Sequence, residues 1–456
     1  MRRTTTPPLL AVSNRLLVAG QQHRASRFAP LGVVPNRLMP CSLAYREQVR
    51  VFNRRYAEIL IAHRTLQGFG ASGLMATAII ADLVPLRERG KFQGALSEPR
   101  VHVGHGAQPG PAAGPTPPRI SCQDGPMSDQ LLIGILGAAQ ISAKALLVPA
   151  STSSEVEVTT IAARDPQRAR EYAAKHGIPR VAASYEELLA DPDIDAIYNP
   201  LPNGLHGRWT LAALAAGKHV LCEKPFTANA DEARVVADAA ERSGLVVMEA
   251  FHYRYHPLAQ RMQEIVESGE LGKLQAVEAS FCFPLPKFSD IRYNFDLAGG
   301  ALMDAGCYAV HMIRLLGGAE AGGEPEVVRA EAKLRGANID RAMRADLRFP
   351  AGHTGRIRCS MWSSDVFKIS ARAVGERGEL SVFNPLTGNR ISMRGKEGKR
   401  VERVSKRATY AYQLDAFAAA VLRGEPVLTP PADSIANMTV IDAIYTSAGL
   451  PLRQPV

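Results

Sequence analysis

The sequence predicts an α/β protein: a doubly wound parallel sheet, followed by an α+β domain with an open, mainly antiparallel sheet. Three observations carry this. From Leu131 onward, short apolar runs alternate with helical segments, the signature of parallel βα units. Beyond residue 340 the texture changes to alternating strands joined by tight Gly-containing turns. A chain of 456 residues also exceeds what one core serves, so two domains and an appendage are expected.

Composition narrows the class further. Hydrophobic residues make up 46% and charged residues 21%, values of soluble globular chains that fit neither wholesale disorder nor a polytopic membrane protein. The net charge of +10 is local. Of 54 Lys plus Arg and 44 Asp plus Glu, residues 1–126 hold sixteen and six, leaving 38 of each in the remainder. A neutral module has no electrostatic footprint for phosphate backbones, so no nucleic-acid partner is expected. The six cysteines (Cys41, Cys122, Cys222, Cys282, Cys307 and Cys359) show no CxxC pair or zinc spacing. They read as reduced thiols of a cytoplasmic protein, with no metal site.

Residues 1–126 form a separate N-terminal extension, expected to be largely disordered. Met1 to Arg46 lacks Asp and Glu but carries Arg and Ser, a composition shared with mitochondrial transit peptides. Arg64 to Gly68 and Ala81 to Gly94 resemble one helix and the next loop of major facilitator transporters, and one marginal helix makes no transport path. Ala107 to Pro126 is dense in Pro and Gly, as linkers are. Met127 lies a few residues before the first strand, so translation starting there is the expectation.

The dinucleotide-binding domain is assigned to residues 127–250 and a substrate-binding and oligomerisation domain to 251–456. Leu131 to Leu136 suits a strand buried on both faces, and Gly137-Ala138-Ala139-Gln140-Ile141-Ser142 follows as turn and helix start. Against the Rossmann fingerprint G-x-G-x-x-G only Gly137 is kept. Ala139 and Ser142 fill the other places, and the helix N-terminus supplies donors for pyrophosphate regardless. The second strand, Val156 to Ala162, ends in Ala163-Arg164-Asp165, with Arg168 one turn on. An acid at the strand end holds the ribose hydroxyls of NAD, whereas arginine there grips a 2′-phosphate, so NADP is favoured and NAD is the alternative.

A strand Ala196 to Tyr198 leads to the turn Pro202-Asn203 and His206. A helix from Trp209 to Gly217 precedes His219-Val-Leu-Cys-Glu223-Lys224-Pro225. Asn229 with Glu232 three residues later marks a capped helix that Gly244 ends, before a strand over Val246 to Phe251. Further on, a helix is expected over Ala309 to Leu316. Strand pairs Arg344 to Phe349 with Thr354 to Met361, and Lys368 to Val374 with Glu379 to Phe383, are expected to form hairpins. Tyr410 to Gly449 returns to helix.

Glu223-Lys224-Pro225, Pro202-Asn203 with His206, Gly299 to Tyr308, and Tyr410 to Phe417 occur in an order that resembles the Gfo/Idh/MocA oxidoreductases. The likeness covers Met127 to Val456. It implies a lysine near the nicotinamide and reactive carbon, which carries over to Lys224. The family's Asp-x-Gly-x-His reads here Asp304-Ala-Gly306-Cys-Tyr308, with tyrosine in place of histidine. That variant is similar to NADP-dependent xylose dehydrogenases, dihydrodiol dehydrogenases and glucose-fructose oxidoreductase.

The resemblance therefore implies an NAD(P)-dependent dehydrogenase or reductase of a sugar or cyclic-diol carbinol, working as a homodimer or higher homo-oligomer. Lys224, Tyr308 and Asp304 are the catalytic candidates. Gly137 to Ile141, Arg164, Arg168, Pro202, Asn203, His206, Glu223 and Lys224 are those for the cofactor. Substrate contacts are expected from Lys224, Arg292, Tyr293, Asp304 and Tyr308, with His311 packing the core. A free phenol titrates near ~10, and an ammonium about 4 Å away is expected to lower it by up to roughly three units. A catalytically silent, NAD(P)-sensing regulatory protein is the competing class, and such proteins tend to lose the catalytic pair.

Overall fold

The computed structural model describes residues 130–318, 322–365, 367–396 and 398–456. The transit-like composition, the transporter-like segment, the linker and Met127 lie outside these residues.

Six parallel strands form the first sheet in the order β3-β2-β1-β4-β5-β6: β1 Leu131–Leu136, β2 Val156–Ala162, β3 Arg180–Val181, β4 Ala196–Asn199, β5 His219–Cys222 and β6 Val247–Glu249. The order reverses between β1 and β4, and in such sheets a ligand crevice opens beyond the carboxyl ends of the strands at that point. The central strand β1 is apolar throughout because helices cover both faces of the sheet. Ile133, Ile135, Ile197 and Leu221 have no exposed surface.

The helix Ala230–Ser243 shows how local sequence sets the frame. Asn229 caps it by accepting from the Glu232 N–H at 3.0 Å, Glu232 reaches back to the Ala228 N–H at 2.8 Å, and Gly244 closes it at φ 66°. The expected capping pair is thus present, with the glutamate bonded one residue earlier than the standard box.

Eight strands form the second sheet in the order β14-β13-β12-β11-β7-β10-β9-β8, from β7 Leu274–Cys282 through β8 Glu326–Arg335, β9 Ile339–Arg348, β10 Thr354–Ser360, β11 Ile369–Gly375, β12 Gly378–Phe383 and β13 Arg390–Gly395 to β14 Gly398–Arg403. Only the β7–β10 pair is parallel. Side chains alternate along β10, with Gly355, Ile357 and Cys359 buried and Thr354 and Arg356 exposed. One face therefore packs on the helix Cys307–Gly317, all eleven residues of which are buried. The other face is open and carries Arg329, Glu331, Arg344, Asp346 and Arg356.

Three features depart from the sequence reading. Residues 140–150 form one helical segment interrupted by a π-helical turn at Ala143–Leu147, and a second π turn at Leu302–Gly306 leads into the helix of Tyr308. The helix Thr409–Arg423 lies late in the chain, yet it buries Tyr410, Leu414 and Phe417 in the same cluster as Ile133 and Tyr198 of the first sheet. Its apolar stripe finds its complement there, so the chain crosses back to the domain it left. The helix Pro431–Ser447 follows.

Among the described residues, no helix is long and apolar enough to cross a membrane. The four described cysteines, Cys222, Cys282, Cys307 and Cys359, are free thiols.

Candidate active site

At the end of β1, Gly137 turns the chain with φ 87°, and a Cβ there would lie 3.0 Å from Leu201 Cδ2, so glycine alone suits the position. Ala138 is buried, Ala139 is the N-cap of the helical segment, and no side chain caps its N–H groups. Gln140 and Ile141 begin the helix. Small residues and free backbone donors at a helix start are what a pyrophosphate needs, so these residues fit a dinucleotide.

At the end of β2 the acid is consumed locally. The Asp165 carboxylate accepts from the Gln167 and Arg168 N–H groups as the N-cap of the helix Pro166–His176. Arg164 beside it is exposed, and Arg168 donates through Nη2 to the Ala138 carbonyl at 2.9 Å, tying the second helix to the phosphate turn. The acid that would serve ribose hydroxyls is thus a helix cap, while arginine faces solvent at the strand end.

The ends of β4 and β5 supply the next residues. Asn203 donates to the Ala298 carbonyl at 3.1 Å, linking the turn after Pro202 to the second domain. His206 departs from the expectation of a cofactor contact. Its two ring nitrogens lie 2.7 Å from the carbonyls of Pro225 and Leu201, and burial pushes the imidazole down to about 4. It braces the two turns from behind and has no polar atom to offer a dinucleotide. Glu223 accepts from the Tyr198 hydroxyl at 2.7 Å, and burial raises its carboxyl.

Lys224, joined to Pro225 by a cis peptide bond, reaches across to the second domain. Its ammonium donates to the Asp304 carbonyl at 3.1 Å, lies 3.7 Å from Asp304 Oδ1, and sits 5.2 Å from the centroid of the Tyr308 ring. Burial pulls its pKa down, but Asp304, Cys307 and Glu223 outweigh that and carry it above the ordinary lysine value. Asp304 is desolvated, yet Lys224 and then Arg292 hold it below the usual carboxylate range. Arg292 donates to Asp304 through Nε at 3.0 Å and to Asp290 through Nη1 at 3.0 Å. The Tyr293 hydroxyl is spent on the Leu285 and Met361 carbonyls, which leaves only its ring to a pocket wall.

Tyr308 is 6% exposed, its ring held edge-on by Phe251 and Phe281 at centroid distances of 5.3 and 5.2 Å. Here the expectation of a lowered phenol fails. Burial first, then Tyr410 and Glu223, push it well above 10. The Lys224 charge does not offset this, because Asp304 claims it. His311, one turn on, packs as expected, stacked on Phe251 and bonded to the Tyr253 hydroxyl and to Asp433.

Sequence reasoning missed the anchor of the Gly299-Gly300 turn. Asp340, paired with Arg453 at 2.8 Å with neither side chain exposed, accepts from the Leu302 N–H at 2.7 Å. Arg453 also donates through Nε to the Gly299 carbonyl at 2.6 Å.

A strand-order reversal between β1 and β4, a glycine turn feeding a helix start, and a lysine–aspartate–tyrosine set on facing elements define a nicotinamide-dependent oxidoreductase. Residues 131–251 match the oxidoreductase family with an NAD-binding Rossmann fold (Gfo/Idh/MocA), and residues 259–381 match the C-terminal domain of the same family. The chain belongs to that family.

It is 41% identical over 323 residues to a D-xylose 1-dehydrogenase (NADP(+)) of Haloferax volcanii, covering 70% of this chain and 97% of the relative. It is 36% identical over 235 residues to the trans-1,2-dihydrobenzene-1,2-diol dehydrogenase of Mus musculus, covering 51% and 68%. Its fold is similar to a 3-ketoreductase of Actinomadura kijaniata in complex with NADP and TDP-benzene, with a TM-score of 0.65 and 29% identity, covering 70% of this chain and 98% of that one.

Proposed function

We propose that the protein is an NADP-dependent dehydrogenase or reductase acting on a CH–OH group of a sugar or cyclic diol, with Lys224 and Tyr308 as its catalytic pair. The observation that carries this is the placement of the Lys224 ammonium over the Tyr308 ring while Asp304 pins it from the opposite domain. Gly137 to Ile141 and Lys224 would hold the dinucleotide, with Arg164 at its 2′-phosphate. When bound, the nicotinamide supplies hydride-transfer chemistry.

Lys224 is the fixed positive charge for a substrate oxygen that becomes alkoxide-like in the transition state. Tyr308 holds the proton that this oxygen gives up or receives. A phenol kept well above 10 stays protonated at neutral pH, so its proton is in place for the oxygen of a carbonyl being reduced. In oxidation the same path runs backwards, favoured by alkali. Asp304 and Arg292 orient the lysine and wall the substrate, and Asp304 stays ionised. A cofactor-sensing regulator needs no such pair.

The functional unit is residues 127–456, in the cytoplasm, with the N-terminal extension dispensable. The open sheet face, which bears the exposed Phe383 beside its charge ladder, is the candidate surface for a homodimer or higher homo-oligomer, read by light scattering. NADPH absorbance is followed with pentoses, hexoses and trans-dihydrodiols, using the full chain and a chain begun at Met127. Turnover that Lys224→Ala removes supports the reading. Failure of every substrate, or an unchanged kcat in Lys224→Ala, overturns it.

A further inference from the structure

Glu249 ends β6 in the middle of the protein with 1% of its surface exposed. Neither carboxyl oxygen closes a hydrogen bond of good geometry. Such a group, if ionised, carries a penalty of several kcal/mol, so a reason for its presence is required.

Its position supplies one. Glu249 pairs in register with Cys222, the residue before Glu223-Lys224-Pro225, and the next N–H, of Ala250, donates to the Cys222 carbonyl at 2.8 Å. Its backbone is clamped on the other side by Thr429, which donates through Oγ1 to the Glu249 carbonyl at 2.7 Å. The carboxyl faces the Phe226 N–H, two residues past Lys224, and the Ser434 hydroxyl on the helix Pro431–Ser447. It thus lies behind the turn whose front presents Lys224 to Asp304.

The neighbouring charges oppose ionisation. Asp433 faces Glu249 and is held by His311 at 2.9 Å and Arg314 at 2.8 Å. Arg314 is already divided between Asp433 and a bidentate contact to Glu324, both arms at 2.7 Å. The imidazole of His311 is lowered by burial, so the cluster has no spare positive charge. Cys222 on β5 and Cys307 on the Tyr308 helix also face the carboxyl, and burial raises both thiols.

We propose that Glu249 is a positioning residue that works as a neutral carboxylic acid, packed against the Phe226 N–H and the Ser434 hydroxyl, and so supports the Glu223-Lys224-Pro225 turn from behind. Its ionisation above neutral pH loosens the turn and misplaces the Lys224 ammonium. Burial raises this carboxyl to about 8, with Asp433 adding to the rise and Ser434, the Phe226 N–H and Arg314 opposing it. The effect on Lys224 rests on the catalytic reading given above; the protonation and the bracing of the turn do not.

Two measurements on the full chain separate these parts. Hydrogen exchange of peptides spanning residues 219–230, corrected for the intrinsic pH dependence, is expected to lose about tenfold protection between pH 7 and 9. Glu249→Gln, a neutral amide of the same shape, flattens that change. In the reductive assay, wild-type kcat falls with a midpoint near 8, where Tyr308 is still protonated. Glu249→Gln removes the alkaline limb, while KM moves less than kcat.

Exchange in the wild type that follows the intrinsic rate alone overturns the proposal, and needs no variant. An alkaline limb that survives in Glu249→Gln also overturns it. A positive exchange result without turnover of any sugar or diol supports the bracing role and overturns the enzyme reading instead.

Discussion

Replacing Arg453 by methionine isolates the tie between the chain's last residues and the turn that precedes the active-site helix. Arg453 and Asp340 are both fully buried, 2.8 Å apart. The change removes three donated bonds, to Asp340, the Gly299 carbonyl at 2.6 Å and the Pro451 carbonyl at 3.0 Å. It leaves Asp340 with the Leu302 N–H and the Tyr445 hydroxyl as donors and no counter-charge. Breaking a buried pair from one side costs about 3–5 kcal/mol.

With a urea slope of roughly 3 kcal/mol per M, the unfolding midpoint then falls by about 1–2 M. The loss is pH-dependent. Burial raises Asp340 to about 6 in the folded protein, with Arg453 opposing the rise, above the ~3.9 of an unfolded aspartate. For an acid raised on folding, the fold favours the protonated form, so the penalty is absent below the unfolded value and grows as pH rises through the folded one. Removing Arg453 raises the folded value further, so the deficit widens between pH 5 and 8. Adding Asp340→Asn removes the stranded charge and recovers at least half the midpoint shift. A single-variant shift below about 0.3 M, or a double variant less stable than the single, refutes this account.

Four further outcomes are expected. Tyr308→Phe lowers kcat by about 10²–10⁴-fold with little change in the KM for NADP, read by steady-state kinetics. Arg164→Ala raises the KM for NADP about tenfold or more and leaves that for NAD nearly unchanged, since one charge-assisted bond to a 2′-phosphate is lost. Gly300→Ala lowers the melting temperature by several degrees, because φ is 134° and the new Cβ would lie 2.2 Å from Asp340 Oδ1. The oxidative kcat climbs from pH 7 to 10 in Glu249→Gln, because Tyr308 must shed a proton held well above 10; a flat profile there counts against Tyr308 as the proton carrier.

Gly137 was legible in the sequence because a glycine directly after a buried apolar strand announces a tight turn, whereas Lys224 and Tyr308 were picked out only by motifs that resemble the family's. Asp165 carried a signal as well: an Asp before a Pro is a helix cap, and the structure spends it so. The Asp340–Arg453 pair was not legible. The partners stand 113 positions apart, and a lone Arg near a chain end reads as solvated. The phenol's rise was missed for a related reason. Lys224 was weighed against Tyr308 alone, while burial and the competing claim of Asp304 depend on a fold that brings three distant segments together. Nor does the stripe on the helix Thr409–Arg423 say which of two sheets will receive it.

Because every residue of Cys307–Gly317 is enclosed, that helix has no side on which variation is free. New substrate preferences within such a scaffold have to arise elsewhere, on the partly exposed stretch from Phe283 to Asp296 that leads up to it. A library built on that stretch would explore specificity, whereas one built on the helix would mostly sample unfolding.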